Sequence, residues 1–336
     1  MKVQKKIAVA TAMASLITLS ACSEQAPKEK FTEAEQKEFV DEFSAKVLGA
    51  EKPAIVHKEL QASIERLPKT EASNAVDGLL YTMHQLTAET NTKLQGFQEA
   101  LRELKNKNID FNSVTGINKV KDETLRTLLE EADKQLFIIE EIGGQFIAYP
   151  DIEYILKEYE NYMNEDLKAM SKFSLEENTQ PFFNTEANAF NMDIVIQRIN
   201  TIEKNMKKFP DSYYLDGMKK SKTYYYQIYF GTNNSFLVDA NDTILPEIIE
   251  HYKKTAEKHP DAEIGKTTIQ VLEKLKESKN VVTDDIYVFL LDVTGTETET
   301  INTEGTPEES TANEDINNAI QKALENNKPE EPTSGE

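Results

Sequence analysis

The sequence predicts an all-α protein: an N-terminal helical hairpin or bundle, then a repeat-like array of helix pairs, then a disordered acidic C-terminal tail. Three observations carry that expectation. Glycine is scarce, 12 residues in 336, about half the ~7% of an average protein, and parallel-sheet folds tend to need glycine in their tight strand-to-helix turns. Apolar residues recur at three- and four-residue spacing through most of the stretch from Phe31 to Val293, the period of a helix with one buried face. Beyond Thr294 the chain is rich in Thr, Glu, Asn and Pro, and so few apolar groups cannot offset the entropy lost on ordering.

The first 22 residues follow a different pattern. Lys2, Lys5 and Lys6 precede an apolar run of 13 residues from Ile7 to Leu19. That run is shorter than the roughly 20 residues a bilayer-spanning helix needs, and it has the order of a secretory signal. It ends in Leu19-Ser20-Ala21-Cys22, which resembles a bacterial lipobox. The resemblance implies that residues 1–21 are removed as a lipoprotein signal peptide and that Cys22 is lipidated. It also implies a chain held on the extracytoplasmic face of the cell membrane by acyl chains, each buried methylene contributing about 0.8 kcal/mol. Cys22 is the sole cysteine, so no intramolecular disulfide can form and stability must come from packing. Residues 22–30 are polar and read as a tether.

The N-terminal helical region is expected over 31–142. Thr32 and Glu35 have the spacing of a capping box, and Phe39, Phe43, Val47 and Leu48 follow on one face, with Gly49 as the stop. Pro53 starts a second helix carrying Val56, Leu60, Ile64 and Leu67, and Pro68 ends it. From Asn74 to Leu104 a wide stripe (Val76, Leu79, Leu80, Met83, Leu86, Leu94, Phe97, Leu101) suits a helix packed in a bundle. Lys93 and Thr90 interrupt it, against a long two-stranded coil. Ile117, Val120, Leu125, Leu128, Ala132, Leu136, Ile139 and Ile142 predict a partner helix, antiparallel to the first and broken by Gly143-Gly144.

The helix-pair region is expected over 143–293. Tyr149-Pro150-Asp151, Phe209-Pro210-Asp211 and His259-Pro260-Asp261 read as three helix starts, because Pro fits the first turn and Asp favours the positive end of the dipole. The last two align further, Lys204 with Lys254, Lys208 with Lys258 and Ser212 with Ala262. Over residues 190–278 this is similar to the joints of tetratricopeptide-like helix pairs, with a longer period than their usual ~34 residues. The middle and C-terminal parts of the body resemble helical lipoproteins of Gram-positive bacteria. Helices are expected at Ile152–Leu167, Ile194–Phe209, Asp211–Phe230, Pro246–His259 and about 265–278, with a polar loop at 174–188 carrying Phe182-Phe183 and a short extended piece at 236–239. Ile286 to Leu291 is β-favouring in composition, but a lone strand has no partner, so a last helix behind Thr283 or Asp284 is preferred. The tail, 294–336, holds eleven acidic residues and two lysines, a net of −9 within a chain of −21.

Charge this negative excludes a nucleic-acid binder, which needs Lys and Arg against phosphate. The four histidines (His57, His84, His251, His259) have no metal-ligand spacing, and Asp239 to Glu250 fails as a calcium loop because Ile244 stands where glycine is required. No nucleophile or phosphate-loop motif occurs, so the reading is not an enzyme, with no cofactor, no metal and no catalytic residue. The aromatic run is the strongest binding signal. Tyr214, Leu215, Met218, Tyr225 and Tyr229 fit one core stripe, which leaves Tyr213, Tyr224, Tyr226 and Asn233 as candidates to line a partner groove. The function expected is a helical binding or scaffold module for a protein or cell-wall partner. The rivals are a solute-binding lipoprotein of a transporter and, third, a cell-wall hydrolase.

Overall fold

The computed structural model describes residues 29–184, 189–232 and 237–295. The signal segment, Cys22, Asn233, Phe236 and the acidic tail lie outside the described residues. Within them the chain is overwhelmingly helical: α1 (Glu33–Leu48), α2 (Pro53–Ser63), α3 (Lys69–Leu94), α4 (Gln98–Asn106), α5 (Val114–Ile117), α6 (Glu123–Lys134), β1 (Phe137–Ile142), β2 (Gln145–Pro150), α7 (Ile152–Tyr159), α8 (Glu165–Thr179), β3 (Phe183–Asn184), β4 (Ala189–Phe190), α9 (Met192–Lys208), α10 (Leu215–Phe230), α11 (Pro246–Lys258), α12 (Glu263–Glu277) and α13 (Asp284–Thr294). The class is the expected one, and the final apolar segment is helix α13.

The start of α1 follows its sequence signal closely. Thr32 N donates to Glu35 Oε2 (2.7 Å), and Glu35 N donates to Thr32 Oγ1 (3.3 Å), a reciprocal capping box. Helices α1 and α2 pack on α3, burying Phe39, Phe43, Val56 and Leu60 against Val76, Leu79 and Met83. The long stripe from Asn74 to Leu104 is two helices, because a 3-10 turn at Gln95–Phe97 separates α3 from α4.

The expected partner helix over 117–142 is corrected. Helix α6 stops at Lys134, Leu136 takes a left-handed backbone at φ +63, and Phe137–Ile142 is a strand. It pairs antiparallel with β2, Ile139 opposite Ala148, across Gly143 and Gly144 at φ +60 and +81. Two consecutive left-handed residues match the right-handed twist of a two-residue hairpin, and glycine reaches them without Cβ strain. A lone two-stranded ribbon leaves both outer edges unpaired. Here three carboxamides close them. Asn91 of α3 exchanges both bonds with Ala148 (Oδ1 from N, 2.6 Å; Nδ2 to O, 3.0 Å). Gln98 of α4 does the same with Phe146 (2.7 and 2.9 Å), and Asn112 with Ile139 on the other edge (2.8 Å each). The hairpin therefore takes the place of the expected helix against α3.

The three proline signals are also corrected. Pro150 is the last residue of β2, opposite Phe137, and the helix start is Asp151, whose carboxylate accepts Tyr154 N at 2.9 Å. Pro210 and Pro260 stand in the turns that precede α10 and α12 rather than in their first turns. The loop expected at 174–188 begins later, since α8 runs to Thr179. Arg198 of α9 fixes that end. Its buried guanidinium donates to Glu176 Oε2 (2.8 Å) and to the carbonyls of Glu176, which also accepts the capping amide of Gln180, and of Gln180 itself, beyond the last turn of α8.

Two buried clusters result. One spans α1 to the start of α8 and ends at Leu167; the other runs from Phe173 through α13. Helix α8 belongs to both, and Tyr214 packs against each.

A lysine-rimmed cleft between the helix pairs as candidate functional site

The second cluster is built from two antiparallel helix pairs, α9–α10 and α11–α12. Their joints share one geometry. Phe209 caps α9 at φ −126, ψ 62, and His259 caps α11 at φ −127, ψ 44. Phe209 N donates to Asn205 O and His259 N to Thr255 O; Ser212 N then donates to Phe209 O and Ala262 N to His259 O. The 50-residue correspondence seen in sequence is thus a repeated turn. Only the second joint is tight enough to require glycine: a Cβ on Gly265 would stand 1.8 Å from His259 O.

The first helices of the two pairs face each other across a cleft of about 810 Å³, with the start of α12 closing one end. Ile196, Thr255 and Ala262 contribute to its floor. Along α9 the buried positions Val195, Ile199 and Ile202 turn to the core, which leaves Gln197, Asn200, Lys204 and Lys207 on the cleft. The same logic on α11 buries Ile248, Ile249 and Tyr252 and presents His251, Lys254 and Lys258.

Four acidic residues also line it, and three are held by neighbours. Glu203 accepts from Tyr226 Oη (2.6 Å) and from the first amides of α12, Ile264 N (3.0 Å) and Glu263 N (3.1 Å), so it ties the first pair to the second. Burial raises its pKa despite those bonds. Glu263 pairs with Lys222 of α10, and Asp193 meets His251 Nε2 at 3.3 Å. Asp261 is exposed. Lys204, Lys207, Lys254 and Lys258 are exposed, and among the described residues none of them has an ion-pair partner. Their field is felt inside. Burial lowers the His251 pKa, Asp193 opposes this, and Lys254 and Lys258 lower it further.

Asp193, His251 and Tyr229 form a line of carboxylate, imidazole and hydroxyl, with His251 Nδ1 3.4 Å from Tyr229 Oη. Tyr229 is fully buried and donates to Thr255 Oγ1 at 2.9 Å. That hydroxyl cannot reach a substrate, so the line serves to orient His251. Among the described residues no group of three or more His, Cys, Asp or Glu is placed to hold a metal, and no helix is long and apolar enough to cross a membrane.

The aromatic candidates do not come together. Tyr213 is 77% exposed and stacks edge-on with Tyr214; Tyr224 is 45% exposed, beside Phe182 of the β3 arm. Tyr226, expected in a groove lining, is 1% exposed with its hydroxyl on Glu203. Two residues apart on a helix point about 200° apart, so Tyr224 and Tyr226 cannot share one face. Met218, Tyr225 and Tyr229 are core, as their spacing indicates. The cleft's lysines were visible in sequence as the Lys204–Lys254 correspondence, but only as a repeat signal. Compared with family models, curated proteins and solved structures, the chain matches none.

Proposed function

We propose that this is a lipid-anchored extracytoplasmic lipoprotein without enzymatic activity, whose helix-pair body receives a protein or cell-wall partner in the α9/α11 cleft. The observation that carries the binding role is the cleft itself: four ammonium groups, without ion-pair partners among the described residues, around a floor to which Ile196, Thr255 and Ala262 contribute, on a chain whose net charge is −21. A local positive rim on an acidic protein attracts an anionic face on the partner and disfavours docking elsewhere. The placement rests on the signal pattern before Cys22. A transporter's solute receptor remains the second reading, because the cleft volume suits a small molecule.

The test is photo-crosslinking in intact cells. A photoreactive residue at Asn200, in the cleft, is expected to capture a discrete partner that the same residue at Ile55, exposed on α2, does not. Equal capture from both positions contradicts the cleft as the site.

A further inference from the structure

We propose that the α9/α11 cleft takes an extended segment of a protein partner in which one Lys or Arg stands over Asp193 and acidic residues follow three to six places along, over the lysines. This rests on the cleft being the binding site, as read above, and adds the order of charges that the site selects.

The order follows from how the helices lie. Asp193, in the first turn of α9, meets His251 of α11 at 3.3 Å. Glu203, further along α9, accepts the first amides of α12, which begins just after α11 ends. Helices α9 and α11 therefore run in the same direction, with Asp193 and His251 level at one end. The Asp193 carboxylate is 90% exposed. Burial outweighs Asp193 and holds the His251 pKa below its ordinary 6.5, so at pH 7 the ring is neutral and the charge of Asp193 is uncompensated. At a rise of 1.5 Å per residue, Lys254 stands about 5 Å further on, Lys258 about 10 Å, and Lys204 and Lys207 about 16 and 21 Å. Carboxylates occur there too. Glu203 is engaged by the α12 amides, Glu263 is exposed but shares Lys222, and Asp261 is exposed. Among the described residues, five ammonium groups (Lys222 included) thus face three carboxylates past Asp193, a net of +2. The sign of the cleft changes along its length, from negative at Asp193 to positive beyond Lys254. A single anion matches only one part of that; a segment with a cationic end and an acidic body matches both.

The wall between the two ends carries amides. Gln197 is exposed, and Asn200 donates from Nδ2 to Ile196 O at 3.0 Å, which leaves its Oδ1 to accept. Carboxamides already satisfy strand backbone in this protein, at Ala148, Phe146 and Ile139, so the same groups here suit an extended peptide. The span of about 21 Å from Asp193 to Lys207 is the length of about six residues at 3.3 Å each.

The experiment is fluorescence anisotropy on the full mature protein in detergent. The probes are labelled acetyl-Lys-Ala-Ala-Glu-Glu-Ala-Glu-amide, the same order reversed, and a shuffled control of equal charge, acetyl-Glu-Ala-Glu-Lys-Ala-Glu-Ala-amide. One ordered peptide is expected to bind at least five-fold tighter than the control. Changing its Lys to Ala should weaken it about five-fold. Asp193→Asn should remove that difference while leaving affinity for the Ala peptide within two-fold. Lys204→Gln/Lys207→Gln should weaken both peptides about ten-fold. Equal affinity for ordered and shuffled peptides overturns the proposal, as does an Asp193→Asn variant that still distinguishes Lys from Ala. If the photoreactive residue at Asn200 captures its partner while the peptides are not discriminated, the site stands and the charge order falls. Equal capture at Asn200 and Ile55 removes the site itself.

Discussion

Asn91, Gln98 and Asn112 do for the β1–β2 ribbon what flanking strands do in a wider sheet. Each supplies one acceptor and one donor to a residue whose own peptide groups face away from its partner strand. Replacing Asn91 by Ala strands two part-buried backbone groups on Ala148, each costing about 1–3 kcal/mol when unsatisfied. Denaturant unfolding should show a loss of at least that order, and a change below half a kcal/mol contradicts the edge role. Asp77 makes a second test. Burial raises its pKa from the ordinary 3.8, with Asp166 acting the same way and a hydrogen bond from Tyr214 opposing. The folded chain therefore holds this proton more tightly than the unfolded one. Stability from this group is full below the ordinary carboxylate range and is lost as pH rises through the folded pKa. Asp77→Asn keeps an acceptor for Tyr214 without the charge. It is expected to be more stable than the parent at pH 8, with the gap closing toward pH 4; a gap that stays constant with pH removes Asp77 as its cause. His57 and His251 act in the opposite sense. Burial lowers both pKa values, so their contribution is complete above pH 6.5 and is lost as pH falls below it.

Among elements, the helix stops and starts explain what could be read from sequence and what could not. Thr32 and Glu35 cap α1 as their spacing indicates because capping is decided within one turn. The Leu136–Ile142 segment was misleading because Leu136, Ile139 and Ile142 lie three apart, which fits a helical stripe. The decisive signal was adjacent: Gly143-Gly144 flanked by Phe137-Ile138-Ile139 and Phe146-Ile147, two β-favouring runs about a two-residue turn. The amides that make such a short ribbon viable come from 27 to 57 residues away, beyond any local pattern. The cleft had the same limitation. Lys204 and Lys254 could be aligned, but their shared opening depends on how two helix pairs stack. Glycines separate the tight joint from the loose one. Gly265→Ala drives a Cβ into His259 O and should cost about 1–3 kcal/mol or more. Gly217 in α10 has nothing within 4 Å of its Cβ position, so Gly217→Ala should stabilise by about 0.5–1 kcal/mol through helix propensity. Thermal melts of the two variants should move in opposite directions; equal shifts contradict the tight second joint.

At the scale of the whole molecule, two buried clusters share α8 and Tyr214 among the described residues, and the sequence beyond Gly295, rich in Thr, Glu, Asn and Pro, offers few apolar groups to extend either one. Removing residues 296–336 is therefore expected to leave the melting temperature within about 2 °C of the parent at 0.15 M salt, since exposed charges contribute at most ~1 kcal/mol each under those conditions. A large drop means the segment completes the core. The proposed placement of this body outside the cell hangs on lipidation of Cys22. The most direct measurement is the mass of the N-terminal peptide from protein extracted from membranes, with fractionation of a Cys22→Ala variant alongside. A chain beginning at Cys22 and carrying a diacylglyceryl mass, with the variant lost from the membrane fraction, is the expected result. A chain that still begins at Met1 with a free thiol at Cys22, and a variant that stays on the membrane, contradicts it.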